Sequence, residues 1–346
     1  MQAPLAPQLP PERARALWQA MHARIVAQGL TRGAAPRAWL TLALLATALG
    51  ATLAFCWQPE QGPAALALGS LVLALLLAQF AFWGHNAGHG GVHRRAALNQ
   101  LLGQLAMTLV TGLAFGEWWQ RHKLHHRHCQ DEARDPDMAV SVVVSLTTNS
   151  LAAKGPVGRW MTRHQAWHLW GLSLFFAHSQ RHLAQWGALC RPRRHALDLL
   201  VLIAHFALWW ALPLALGVPL ATVALVYVVP LFWLGPYLAL IFWLNHIGMP
   251  LIQPSPALSF LEHQAATSRT ILNPPAWDWF FGGLNFQIEH HLFPRVPACR
   301  LRAVQCVVQE HLATSCLRYH GVSLRLALLE VAAHFKAVSR AGCNDR

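Results

Sequence analysis

No lysine or arginine occurs between Trp39 and His93, or between His195 and Ser268, in a chain of 346 residues that has 27 of them. Each of these stretches holds two apolar runs of roughly 20 residues, the length that crosses the hydrocarbon core of a bilayer. The runs are Trp39 to Trp57 and Ala64 to Trp83, then Leu199 to Leu216 and Ala221 to Leu244. With 55% hydrophobic and only 12% charged residues, the composition is too apolar for an ordinary water-soluble enzyme. The pattern predicts an all-α, multi-pass membrane protein with four spans in two transmembrane hairpins.

The turns inside the hairpins, "QPEQGP" and "GVP", have no positive charge. By the positive-inside rule they lie outside, while both termini and the segment from 94 to 195 lie in the cytoplasm. A fifth apolar stretch, Leu101 to Phe115, would put flanking basic clusters on opposite faces if it spanned, so it is expected at or partly within the membrane surface. The Trp- and His-rich stretch Trp167 to Phe176 is expected there too. Residues 1 to 37 are Ala-, Pro- and Arg-rich. The apolar run after them is longer than a signal-peptide core and lacks a small-residue cleavage site, so it reads as a span. Seven cysteines at irregular spacing, without a C-x-x-C, argue against both a disulfide framework and a cysteine metal site, and reduced thiols are expected.

Histidine gives the sequence its chemistry. Of 21 histidines, many fall into three clusters: "HNAGH" (His85, His89), "HKLHH" (His122, His125, His126) and "QIEHH" (Gln287, His290, His291). On a helix, residues three or four apart share a face, so each cluster presents its polar groups toward one point. The charge-derived topology puts all three at the cytoplasmic ends of the spans, where they can converge. Several imidazoles gathered in a partly apolar site lose water contacts without return unless a metal binds them. Seven or eight ligands exceed the four to six of one ion, so two metals are the simpler count.

A lone histidine in a Trp-rich interfacial helix is more often a polar tip satisfied locally, and His22, His205, His311, His320 and His334 fit that reading. The pairs His164 with His168 and His178 with His182 are assigned to it as well. The H-E-x-x-H string of zinc hydrolases and the Glu-x-x-His pattern of carboxylate di-iron bundles are both absent. Imidazole-rich coordination suits iron, among other first-row metals. Substrates dissolved in a bilayer are chiefly alkyl chains, whose C–H bonds no side-chain acid, base or nucleophile attacks. Iron, O2 and supplied electrons can break them.

The three boxes, His85-x-x-x-His89, His122-x-x-His125-His126 and Gln287-x-x-His290-His291, resemble those of the membrane fatty acid desaturases. Glutamine opening the third box, inside "GGLNFQIEHHLFP", resembles the front-end branch, which includes linoleoyl-CoA-type and sphingolipid desaturases. Further similar strings are "EWWQRHKLHH", "DPDM" at Asp135 to Met138, "LNHIGMP" at Leu244 to Pro250, and "HQAATSRTI" before "DWFFGGLN". The resemblance covers roughly residues 40 to 300.

It implies a centre of two iron ions using O2 as co-substrate, with His85, His89, His122, His125, His126, His290 and His291 as ligands. His246, at the end of the fourth span, joins them by the family pattern and as an ionisable group in a hydrophobic helix. Gln287 is expected to ligate weakly or through water by its amide oxygen. Where the family often has Asp after the first histidine, this chain has Asn86. His93, His128 and His263 are read as lying around the centre or at the surface. Asp135, Asp137, Asp278 and Glu289 are either solvated acids or acceptors for the outer N–H of a ligating imidazole.

The implied organisation is a cytoplasmic segment 1–37, a membrane desaturase domain 38–300 with the three boxes, and a cytoplasmic helical tail 301–346, the centre lying in a cytoplasmic helical cap. The formal charge of +13 suits anionic headgroups and an acidic electron carrier, and no nucleic-acid motif accompanies it. Front-end relatives often have a fused cytochrome b5 with His-Pro-Gly-Gly. That motif is not in this sequence, so a separate donor, a ferredoxin or cytochrome b5-type protein, is expected. The implied substrate is a fatty acyl chain on CoA, an acyl carrier protein or a lipid, and the implied location is a bacterial inner membrane. The alternatives are an alkyl, sphingoid or carotenoid hydroxylase of the same superfamily, and a metal transporter. A transporter would place polar ligands along the spans, which apart from His205 are almost free of them.

Overall fold

A computed structural model describes residues 8–32, 35–139, 143–151, 153–252 and 258–344. The protein is mostly helical. In chain order the helices are α1 (Pro11–Ala27), α2 (Ala35–Cys56), α3 (Pro63–Gly88), α4 (Ala96–Gly103), α5 (Phe115–His128), α6 (Pro156–Leu172), α7 (Phe176–Cys190) and α8 (Ala196–Phe206). They continue with α9 (Leu212–Ala215), α10 (Leu220–His246), α11 (Phe260–Thr267), α12 (Asp278–Phe281), α13 (Gln287–Leu292), α14 (Leu301–Ala313) and α15 (Leu324–Asn344). Two three-residue strands, β1 (Thr270–Leu272) and β2 (Gly321–Ser323), pair in parallel, with Ile271 opposite Val322.

Four helical stretches are long and apolar enough to cross a membrane: Pro36–Cys56, Pro63–Gly88, Ala196–Ala215 and Leu220–His246. They match the four expected spans. The second and fourth run past the apolar sequence, to Gly88 and His246, so the histidines at their ends belong to the same helices. The fifth apolar stretch is not one straight helix. α4 continues as a π-helix, Gln104–Thr111, and Ala96–Thr111 then meets α5 at a bend of 113°, the geometry of a broken span or a re-entrant loop. Gly112 makes the reversal at φ +74°, a conformation open to glycine without strain.

The chain forms two compact units. One comprises residues 33–120 and 173–239, and contains the first three apolar helices and most of α10. In it, Glu117 and Asp198 face the two nitrogens of the buried His195 ring, at 3.1 and 2.8 Å. Asp198 also accepts from the backbone N–H of Gly116 at 2.8 Å, which caps the start of α5.

The other unit comprises residues 1–32, 121–172 and 240–346. Its core packs Met21 and Ile25 of α1 with Ile288 and Leu292 of α13, Phe293, and Val304, Val307 and Val308 of α14. Both terminal segments are part of this unit: α1 packs on α14 and α11, and α15 on α6. α11 begins with a reciprocal capping box between Ser259 and Glu262.

Candidate metal centre

Second-box histidines occupy the last two turns of α5, and third-box histidines sit on the short α13. α13 follows the turn Gly282–Gly283, where φ is +59° and +83°. A Cβ on Gly283 would lie 3.0 Å from the Cβ of Ala298, so the "GG" of "WDWFFGGLNF" is required by both torsion and space. α13 itself is buried throughout, from Gln287 to Leu292.

His246 is fixed from the other direction, by the C-terminus of α10. Four successive carbonyls there find donors. Arg269 gives its Nη1 to Leu244 O (2.6 Å), its backbone N–H to Asn245 O (2.9 Å) and its Nη2 to Ile247 O (2.9 Å), and Gln130 Nε2 donates to His246 O. A cation at a helix C-terminus also answers the negative end of the dipole. Arg269 is 1% exposed and is held in turn by Glu330 of α15, 2.8 Å from its Nε.

Within this unit the histidines form two adjoining groups. His125, His246 and His291 each offer a ligand atom within 4.8 Å of one another, together with Cys129. So do His122, His126 and His290. The groups touch where the His126 and His291 rings stack, 4.2 Å between centroids. His122 Nε2 and His126 Nε2 are 3.1 Å apart. Two imidazoles ~2.1 Å from one ion, at a right angle, would stand about 3.0 Å apart. In the other unit the His85 and His89 rings have centroids 4.8 Å apart, His85 against Trp118 and His89 against Trp119.

The first group shares one pattern. His125 Nδ1 donates to both carboxylate oxygens of Asp135 at 3.1 Å, with Asp137 3.4 Å away on the same side. His246 Nδ1 donates to the Thr267 carbonyl at 2.9 Å, and His291 Nδ1 to Gln264 Oε1 at 2.8 Å. With each Nδ1 engaged, Nε2 is the atom each ring offers to a metal; on His246 it now meets the Gln287 amide nitrogen at 2.8 Å. His291 Nε2 is buried and has no hydrogen-bond partner among the described residues. That atom is what a metal would satisfy.

Electrostatics agrees. Burial, then the neighbouring imidazoles His126, His246, His125 and His290, hold the His291 pKa well below the ordinary value, so its lone pair is available. Burial also opposes charge on His125, but Asp137 and Asp135 outweigh it and raise its pKa, so a metal there displaces a proton. Burial, then Asp135, hold the Cys129 thiol protonated. Its Sγ lies 3.3 Å from His246 Nδ1, the nitrogen already facing Thr267. Cys129 thus stands beside His125, His246 and His291 with its proton held.

Gln287 lies 2.8 Å from His246 Nε2 by its amide nitrogen, and its Oε1 accepts from Asn245 Nδ2 at 3.1 Å. Turning that amide over exchanges nitrogen and oxygen, so the same position can present an oxygen to a metal.

Of the four acids named from sequence, Asp135 and Asp137 face a cluster imidazole. Asp278 instead pairs with Arg302 at 2.6 Å. Glu289 accepts from Thr270 Oγ1 and Tyr319 Oη, each at 2.8 Å, and burial pushes its pKa up to about 7 against those bonds. His263 donates to Cys129 O at 2.7 Å, and His93 Nδ1 accepts from Arg95 N at 3.0 Å. Sequence reasoning missed Gln264, Thr267, Gln130, Cys129 and Arg269. The run "HQAATSR" holds three of them, but a backbone carbonyl as acceptor for a ligand's N–H has no residue signature.

A family model described as fatty acid desaturase matches residues 61–323. The chain is similar to the Delta(8)-fatty-acid desaturase 2 of Arabidopsis thaliana, 29% identical over 74% of this chain and 60% of that one. It is similar to the sn-1 linoleoyl-lipid 6-desaturase of Synechocystis, 29% identical over 82% of each. Similarity extends to the Delta 8-(E)-sphingolipid desaturase of Komagataella phaffii, 26% identical over 73% of this chain and 50% of that one. The chain thus spans about 60% of the length of the Arabidopsis relative. With three histidine boxes, four candidate spans and a family match over most of its length, the chain belongs to the fatty acid desaturase family.

Proposed function

We propose that this chain desaturates a fatty acyl chain in a membrane, consuming O2 and two electrons at a pair of histidine-held irons. The carrying observation is the one-sided tethering of His125, His246 and His291 through Nδ1, with, among the described residues, Nε2 of His291 buried and unpartnered and Nε2 of His246 facing only the Gln287 amide. These three hold one iron, with Gln287 reaching it weakly or through water. His122, His126 and His290 would hold the other, and His85 and His89 are read as ligands as well. For the last two the support is the family resemblance of the first box and their pairing at the end of α3.

When bound, the irons supply the O2-derived oxidising power that removing hydrogen from two adjacent methylenes demands. The residues do the rest. Asp135, the Thr267 carbonyl and Gln264 fix the tautomer and ring angle of three ligands. Arg269 locks the helix end that presents His246. The buried, largely apolar surroundings of α13 keep bulk water away.

The chain is read as lying in a bacterial inner membrane, with the boxes, the segment 1–37 and the tail 301–346 on the cytoplasmic side. The basic-free hairpin turns support this. The charge of +13 favours anionic headgroups and an acidic donor of the ferredoxin or cytochrome b5 type. The acyl group is on CoA, an acyl carrier protein or a lipid; the named acyl-lipid relative from Synechocystis supports the last.

The test is expression in a bacterium supplied with an electron donor, with fatty acids profiled by mass spectrometry. New unsaturated species, missing from a His290→Ala control, are expected. Hydroxylated products would reassign the reaction, and no new species with any supplied chain would overturn the reading.

A further inference from the structure

The unit with the apolar helices contains a buried cation that the histidine chemistry does not use. Arg181 of α7 is 6% exposed, and its Nε is buried without a hydrogen-bond partner among the described residues. Its guanidinium lies over the Tyr227 ring, 4.6 Å from the centroid, and Tyr227 Oη is itself engaged by His205 Nε2 at 2.9 Å. Arg181 makes no ion pair with a carboxylate among the described residues.

The acids of this unit are Glu60, Glu117 and Asp198. Glu117 and Asp198 are taken by His195, and Glu60 sits exposed in the turn between α2 and α3. A ring facing a guanidinium compensates only part of what leaving water removes. Burial accordingly pushes the Arg181 pKa down.

Two further nitrogens nearby are buried and unpartnered, Trp209 Nε1 and His178 Nε2. The Trp209 ring is 6.0 Å from that of Tyr227, and His178 precedes Arg181 by three residues on α7, one turn away on the same face. Other side chains of α7, Leu183, Trp186 and Leu189, are 50, 67 and 56% exposed, an apolar face suited to hydrocarbon. A buried cation beside two ring nitrogens without hydrogen-bond partners among the described residues, on a helix whose opposite face is apolar and suited to hydrocarbon, describes a site for the anionic head of a membrane amphiphile.

We propose that Arg181, with Trp209 and His178 beside it, binds the oxyanion of a membrane amphiphile, either a phospholipid phosphate or a fatty carboxylate. The site does not depend on the desaturase reading, and its test reads lipid binding rather than turnover.

Native mass spectrometry of the purified full chain in detergent would measure retained amphiphile, whose mass separates phospholipid from fatty acid. Delipidated protein would then be titrated separately with phosphatidylglycerol nanodiscs and with oleate. Wild type is expected to retain one amphiphile per chain and to rebind one of the two probes, with R181Q weakening retention at least tenfold. R181K keeps the charge but loses the planar fork, and is expected to bind several-fold more weakly than wild type while remaining monodisperse. Equal retention by wild type and R181Q would place the lipid elsewhere. If R181Q does not stay folded, undiminished binding by R181K overturns the site, as does a wild type that takes up neither probe.

Discussion

Two buried histidines, each facing two carboxylates, have opposite consequences in the two units. His195 stands between Asp198, 2.8 Å from Nδ1, and Glu117, 3.1 Å from Nε2, so a carboxylate faces each nitrogen and neither is turned to an open space. His125 has Asp135 and Asp137 on the same nitrogen, Nδ1, and its other nitrogen stays open. The residue types are the same and the burial is similar. What differs is whether the acids stand on opposite sides of the ring or on one. A histidine held from both sides is a structural clasp, whereas one held from a single side is a prepared ligand.

Replacing a ligand should separate the two most sharply. His291→Ala is expected to take desaturation to background, a larger loss than the ~10–100-fold in metal affinity typical of outer partners, while the folded chain is still recovered. Product analysis alongside size-exclusion profiles checks this; wild-type activity in the variant would remove His291 from the centre.

His195→Ala should do the reverse. It takes the imidazole from two buried carboxylates, of which Asp198 keeps its Gly116 and Gln104 donors, a destabilisation of about 1–3 kcal/mol, read as a lower melting temperature, yet iron per folded chain should be unchanged. Loss of iron from well-folded His195→Ala would erase the distinction.

Asp135→Asn addresses the tether itself. An amide can still meet Nδ1 but no longer bears the charge, and iron affinity is expected to fall ~10–100-fold, measured by competition with a chelator. An unchanged affinity would mean that Asp135 serves only its bonds to the Gln130 and Asp137 N–H groups.

The smallest effect concerns pH. Asp137 helps raise the His125 pKa, and a metal binds only the neutral imidazole, so iron affinity should weaken progressively as pH falls below that raised value. Asp137→Asn removes part of the raising charge, so its retention curve should move to lower pH. A curve moved upward would contradict the assigned sign.

Much of this was legible in the sequence. Hydropathy and the placement of basic residues gave four spans, with ends at Trp83 and Leu244 where the helices reach Gly88 and His246. That gap has a physical reason: hydropathy registers where apolar side chains stop, and both helices continue with polar residues. The three boxes were visible because helical spacing places their imidazoles on one face. The His195 clasp was not, since its acids are Asp198 and the distant Glu117 and no spacing rule joins them. Arg269 was equally hidden, because its value lies in the backbone carbonyls of α10 that it meets. The parallel pairing of Thr270–Leu272 with Gly321–Ser323 was too short to leave an alternating pattern.

Iron analysis of anaerobically reconstituted protein, with Mössbauer spectra, tests the central claim most directly. About two irons per folded chain are expected, in nitrogen-rich environments, and His125→Ala with His291→Ala should deplete one of them preferentially. Wild-type protein that binds no iron under these conditions, or whose iron is unaffected by both substitutions, would contradict the assignment of these imidazoles as the metal centre.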